Sequence, residues 1–207
     1  MAAKYNWASR IISDRVSDSK KGDGMVSKQN ALMRLFAHDI DGIQPCIVDL
    51  ERSIKIIGMA VDTDIRRIYR DVPSLGKRFQ KYKQTHEIPN KKQPWAFAAV
   101  SKGFDKERST FSYIMGDVVT SLEKIPAGLM LFEIPAIKYA IFPVRPKNRF
   151  GWGIAIANTK RYAYNVWLPN SGYEPAGVID DFEYHDERSV RKNNPEIDLY
   201  VAIREKH

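Results

Sequence analysis

Beginning at residue 54, the chain runs through the same order of elements twice, and that order restricts it to a narrow set of architectures. In the first pass a β-rich run over 54–61 precedes a helix over 71–85, in which Leu75, Phe79 and Tyr82 recur at i, i+4, i+7. Lys77, Arg78, Lys81 and Lys83 fall between them, Asp71 is placed to cap the helix, and Pro73 sits in its first turn. Strands over 94–101 and 110–119 follow, joined by the charged loop KGFDKER. After the Pro- and Gly-marked stretch EKIPAGLMLFEIPA the order restarts, with a strand over 137–144, a helix over 151–168, and the strands VIDDFEYH and EIDLYVAI. No letter-by-letter repeat accompanies this order. Strand, helix, strand, strand, taken twice, predicts an α+β fold: two halves related by a pseudo-twofold axis, an antiparallel sheet with two main helices, and a groove where the halves meet.

Residues 1–53 do not share the pattern. The polar stretch SDSKKGDGMVSKQN separates two short helical candidates, over 7–16 and 31–38, where a helix-turn-helix would need a tight turn. This segment reads as an arm or appendage, with 54–207 as the folded domain. A single cysteine, Cys46, excludes an intrachain disulfide and a cysteine-rich metal site, which fits a reducing cytoplasm. The formal net charge of +8 lies mostly in residues 54–108, which carry 13 basic and 6 acidic side chains. No base-reading motif accompanies these charges, so a solvated helix face explains them more simply than direct DNA binding.

Aromatic residues collect in the second half. Trp152, Ile156, Tyr164 and Trp167 fall at helical spacings that share a face, and the turn NVWLPNSGYEP carries Tyr173 just beyond Trp167. Each ring alone reads as core, whereas together their polar tips suit the wall of a pocket. In DFEYH, if Phe182 and Tyr184 share one face, Glu183 points to the other with Ile179 and Asp181. That leaves two readings: an exposed Glu183, or an unpaired buried carboxylate in an aromatic pocket suited to a lipophilic cation.

FSYIMG, IPAGLMLFEIPAIKYAIFPV, VWLPNSGYEP, DFEYH and EIDLYVAI, in this order, resemble the effector-binding domain of bacterial multidrug-responsive transcription regulators, also called the gyrase-inhibitor-like domain. The resemblance covers roughly 54–205 and implies two strand-helix-strand-strand halves around a central channel for hydrophobic, often cationic, small molecules. It places the family's ligand-contacting Glu on Glu183, and its aromatic lining near Tyr113, Trp152, Tyr164, Trp167 and Tyr200. The regulators carry a helix-turn-helix head that residues 1–53 do not resemble, which favours a stand-alone binding protein that senses or sequesters its ligand.

Two other functions stay open. One is a hydrolase of reactive electrophiles in which Glu183 assists water, with His185 on the same strand face as its candidate partner. The other is a protein-interaction role like that of the gyrase-inhibitory members, which the basic charge disfavours. His38, His86, His185 and His207 are too scattered for a metal site, and FGWGIAIAN lacks the third glycine and the lysine of a phosphate loop. Neither a metal, a cofactor nor a membrane span is expected, and the protein partner is left unassigned.

Overall fold

The computed structural model describes residues 42–121, 125–148 and 151–206. Both passes of the repeated order form, as β2 (Ile54–Asp64), α1 (Ile68–Thr85), β3 (Phe97–Asp105) and β4 (Thr110–Val119), then β6 (Lys138–Val144), α2 (Trp152–Tyr162), β8 (Asp181–His185) and β9 (Ile197–Glu205). Three short strands were not expected: β1 (Cys46–Asp49), β5 (Met130–Ile134) and β7 (Tyr173–Pro175). The sheet therefore starts at Cys46, ahead of the expected boundary at residue 54, while the rest of the expected arm, with both helical candidates, lies outside the described residues. α1 also begins earlier than expected. Asp64 accepts hydrogen bonds from the Arg66 and Arg67 amides at 2.8 and 2.9 Å and turns the chain into the helix, while Asp71 accepts one from Thr63 Oγ1 at 2.8 Å instead of capping.

Among the described residues the strands pair antiparallel in the order β1-β6-β9-β8-β3-β4-β2-β5, with β7 on the C-terminal end of β9. The halves are thus β2, β4, β3 and β6, β9, β8, meeting along β3–β8. Each half receives its edge strand from the segment that leads into the other half: β1 precedes β2 but pairs with β6, and β5 precedes β6 but pairs with β2. This exchange rules out a flat sheet. Laid flat, β1 and β2 would stand six strand spacings apart, roughly 29 Å at about 4.8 Å each. Residues 50–53 between them reach about 18 Å at most, and residues 135–137, between β5 and β6, only about 14 Å. The sheet must curl until its ends adjoin, and a hydrogen bond from Leu50 N–H to Ile137 O at 3.0 Å ties the two links together.

Curling gives the sheet an enclosed inner face and an outer face. Inside, Ile56, Val100, Ile114, Ile134, Tyr139, Phe182 and Ala202 form one buried core to which neither helix contributes. Outside, α1 packs Leu75 and Phe79 over Ile57, Ala99 and Met115, and α2 packs Ala155 and Tyr162, with Trp167 from the turn that follows it, over Phe142, Leu199 and Val201. The basic residues of α1 do not all face solvent: Lys83 turns in to buried Asp117 at 3.0 Å, and Lys91 meets the same carboxylate at 2.9 Å.

Gly58 of β2 sits opposite Gly116 of β4, on the inner face with Ile56 and Ile114. A Cβ on Gly58 would lie 1.8 Å from the Met115 carbonyl oxygen, and one on Gly116 would lie 2.5 Å from that of Ile57. Backbone, unlike a rotamer, cannot step aside. Gly58→Ala is therefore expected to lower stability by about 3 kcal/mol in urea unfolding; a loss below about 1 kcal/mol would show that these strands do not approach so closely.

Candidate functional site

The pleat of β8 separates its side chains. Phe182 enters the inner core, and Asp181, Glu183 and His185 alternate with it onto the face that the helices cover. β3 sets Ala99, which lies under α1, opposite Glu183 and places Ser101, opposite Asp181, beneath the gap between the helices, while β4 sets Tyr113 opposite Ser101. From α2, Lys160 descends into this space. Its Nζ lies 2.8 Å from Asp181 Oδ1 and 3.0 Å from Glu183 Oε1, and donates a hydrogen bond to Ser101 Oγ at 3.2 Å. Tyr113 donates its hydroxyl to Glu183 Oε2 at 3.3 Å, and Tyr164 OH lies 2.9 Å from both Asp181 Oδ2 and the Asp180 carbonyl oxygen. Lys160, Asp181 and Glu183 are all buried.

Burial works against the Lys160 charge, but Asp181 and Glu183 together outweigh it and raise its pKa above the usual lysine value. The ammonium thus stays charged, and two acidic side chains share it, so the formal charges of the triad sum to −1. Tyr113 is pushed well above the usual tyrosine range, first by burial and then by the charges of Glu183 and Asp181, so it remains a donor. Asp180, just before β8, accepts the Phe104 amide hydrogen at 2.9 Å; burial, and then Asp181, raise its pKa to about 6.

Of the residues expected at the site, Glu183, Tyr113 and Tyr164 do come together. Trp152 lies nearby, its ring 6.1 Å from that of His185, which in turn meets Phe97 edge-on at 5.3 Å. Burial lowers the His185 pKa, against the opposing pull of Glu183 and Asp186. Trp167 and Tyr200 serve elsewhere. Trp167 packs against Phe142 at 5.4 Å and stacks with Tyr173 at 6.1 Å, so the NVWLPNSGYEP turn seals the end of α2 onto β9. Tyr200 faces inward and stacks on Phe182 at 4.4 Å, because the β8–β9 register sets Tyr200 beside Phe182 and Leu199 beside Glu183. Ile179 also belongs to the inner core rather than to the Glu183 face, since β8 begins only at Asp181.

The largest departure from expectation is Lys160. Glu183 is neither exposed nor unpaired, because an ammonium already sits on it. The signal was present in the spacing, since Trp152, Ile156, Lys160 and Tyr164 recur every four residues, but a search for aromatics skips the lysine. The helix then widens into a π-helical turn over Ala163–Trp167 before a last turn over Leu168–Asn170. Tyr164 and Trp167 both belong to this π-helical segment and to the buried cluster over Phe142 and Leu199, but only Tyr164 also reaches the cleft.

Between the helices lies a half-open cleft lined by Ile68, Ser101, Phe104, Phe111, Lys160, Tyr164, Asp180 and Asp181. Carboxylates and a lysine form its floor and rings form its sides. Among the described residues no group of three or more His, Cys, Asp or Glu side chains is placed to hold a metal ion, and no helix is long and apolar enough to cross a membrane.

The fold is shared with known proteins. The family model for Cass2, integron-associated effector binding protein, matches residues 47–203. The chain belongs to this family. The matched span includes β1 from its second residue onward, in keeping with the start of the sheet at Cys46. The transcriptional regulator BrlR of Pseudomonas aeruginosa is 32% identical over 136 residues, which are 63% of this chain and 46% of BrlR, so the chain spans about half the length of that curated relative. Among solved structures, SAV2435 bound to tetraphenylphosphonium superposes with a TM-score of 0.60 at 9% identity, over 78% of this chain and 94% of that one. The integron cassette protein VCH_CASS2 of Vibrio cholerae gives a TM-score of 0.53 at 12% identity, over 78% and 96%. At such identities the two structures establish a common effector-binding fold and nothing finer.

For a Cass2 member with this triad, the order of stability losses follows from charge balance. Lys160→Met strands two adjacent buried carboxylates and is expected to cost about 3–5 kcal/mol at pH 7. Glu183→Gln leaves Lys160 matched one-to-one with Asp181 at 2.8 Å, so its loss should be well under half as large. Chemical denaturation of both variants at pH 7 checks this, and equal losses would mean that Glu183 rather than Asp181 is the main anchor of the ammonium.

Proposed function

We propose that the chain is an effector-binding module whose cleft takes a lipophilic cation, sensing or sequestering it. The observation that carries this reading is the charge imbalance of the floor. Asp181 and Glu183 share the single ammonium of Lys160, Asp180 adds a further carboxylate at the cleft wall, and Phe104, Phe111 and Tyr164 surround them. A net negative floor in a low-dielectric cleft attracts a cation, and aromatic walls reward one that is large and apolar. Tetraphenylphosphonium, held by the structurally similar SAV2435, is a cation of that kind. Membership of a family of effector binding proteins points the same way.

The hydrolase reading is weaker. A general base must be free to take a proton from water, yet Lys160 and Tyr113 hold one oxygen each of Glu183. His185, its candidate partner, is wedged between Phe97 and Trp152.

Titration calorimetry with tetraphenylphosphonium and with neutral triphenylphosphine oxide tests the proposal. The cation is expected to bind at least ten-fold more tightly, about 1.4 kcal/mol. Equal affinities would show that the charge of the floor plays no part, and absence of binding by either at millimolar concentration would rule out the cleft as a site for such molecules.

A further inference from the structure

We infer that the carboxylate which meets the ligand's positive charge is that of Asp180, and that Glu183 is an internal support beneath the cleft. This inference rests on the cation-binding reading above and assigns the contact within it. Three observations carry it. First, Glu183 is buried and its two oxygens are engaged from opposite sides, by Lys160 at 3.0 Å and Tyr113 at 3.3 Å. It does not line the cleft, whereas Lys160 does. A ligand entering from the mouth therefore meets the lysine before it can approach Glu183.

Second, Asp181 lines the cleft but is already committed, with Lys160 Nζ at 2.8 Å on one oxygen and Tyr164 OH at 2.9 Å on the other. Third, Asp180 lines the cleft, is half-buried, and among the described residues has no cation within ion-pair distance of its carboxylate. One of its oxygens accepts the Phe104 amide hydrogen at 2.9 Å, which fixes the carboxylate against the β3 backbone, and the Phe104 ring, 6.3 Å from that of Phe111, lines the same cleft. An organic cation seated between these rings and Tyr164 would find in Asp180 a carboxylate that binding does not first have to free. Reaching Glu183 would instead mean displacing Lys160, at the cost of a buried ion pair.

The groups that face Asp180 set its response to pH. Burial and then Asp181 on β8 disfavour its charge, and they outweigh the Phe104 amide on β3 and Lys160 on α2, which favour it. Tyr164 donates to its carbonyl oxygen, and α1 contributes the apolar Ile68 to the cleft wall. Its carboxyl loses its proton at about pH 6, so about one-tenth of the molecules carry the charge at pH 5.

The experiment measures tetraphenylphosphonium affinity by calorimetry in the wild type, Asp180→Asn and Glu183→Gln, between pH 5 and pH 7.5. Tetraphenylphosphonium does not titrate, so any pH dependence belongs to the protein. Wild-type affinity should fall roughly ten-fold from pH 7.5 to pH 5, following the ionised fraction of Asp180. Asp180→Asn should bind about thirty-fold more weakly than wild type at pH 7.5 and show a flat profile, while Glu183→Gln should lose only about three-fold and keep the wild-type slope. Asparagine can still accept the Phe104 amide hydrogen. Since the folded-state pKa of Asp180 is raised, its ionised form opposes folding above about pH 6, and Asp180→Asn should melt no lower than wild type at pH 7.5. A loss in Glu183→Gln as large as that in Asp180→Asn, or a flat wild-type profile, would overturn the assignment while leaving cation binding intact. Failure of the wild type to bind at any pH would overturn the assignment together with the reading beneath it.

Discussion

Short chain reach governs this molecule. Residues 50–53 and 135–137 must each carry the chain between strands that a flat sheet would hold six positions apart, and they can do so only if the sheet curls until its two ends adjoin. From that closure follow the enclosed inner core around Tyr139 and Phe182, the Gly58–Gly116 contact where no side chain fits, and the placement of both helices on the outside. With β3 and β8 at the seam between the halves, the gap between α1 and α2 opens over Ser101, the small residue opposite Asp181. The cleft is thus a consequence of topology before it is a matter of side chains.

What fills the cleft floor is a charge arrangement that the protein has half neutralised. A lone Glu183 among aromatics would carry a large desolvation cost, and Lys160 offsets it from inside the chain. Because Asp181 shares that ammonium, the site keeps one negative charge in excess while every member of the triad retains a partner. Such an arrangement holds the buried acids in the free protein and leaves Asp180, at the cleft, with no ion-pair partner among the described residues.

The two halves of this problem were unequally legible in the sequence. Hydrophobic period and breakers sufficed for β2, β3, β4, β6, β8, β9 and both helices, because each is long enough for its pattern to repeat. They failed for β1 and β7, of four and three residues, and for β5, whose MLFEI lies in a stretch flanked by Pro126 and Pro135 that reads as a connection. Site residues fared likewise. Tyr113, Tyr164 and Glu183 converge, and Trp152 lies close by, whereas Trp167 turns into the core past a π-helical turn that no sequence period announces. Tyr200 was misplaced for a different reason, since its side is set by register against β8 and not by its own strand's pattern.

By itself, then, the sequence determined the α+β class, the doubled element order and the alternation that separates Phe182 from Glu183, because these depend on neighbours within a few residues along the chain. Only the tertiary structure decided which strands adjoin, and with them the pairing of Lys160 with Asp181 and Glu183 and the exposure of Asp180 to the cleft. Lys160 lies 21 and 23 positions from its two partners, and Ser101 a further 59 from Lys160. An ion pair is fixed by distance in space, and that distance was set by the closure of the sheet and the seating of α2 upon it.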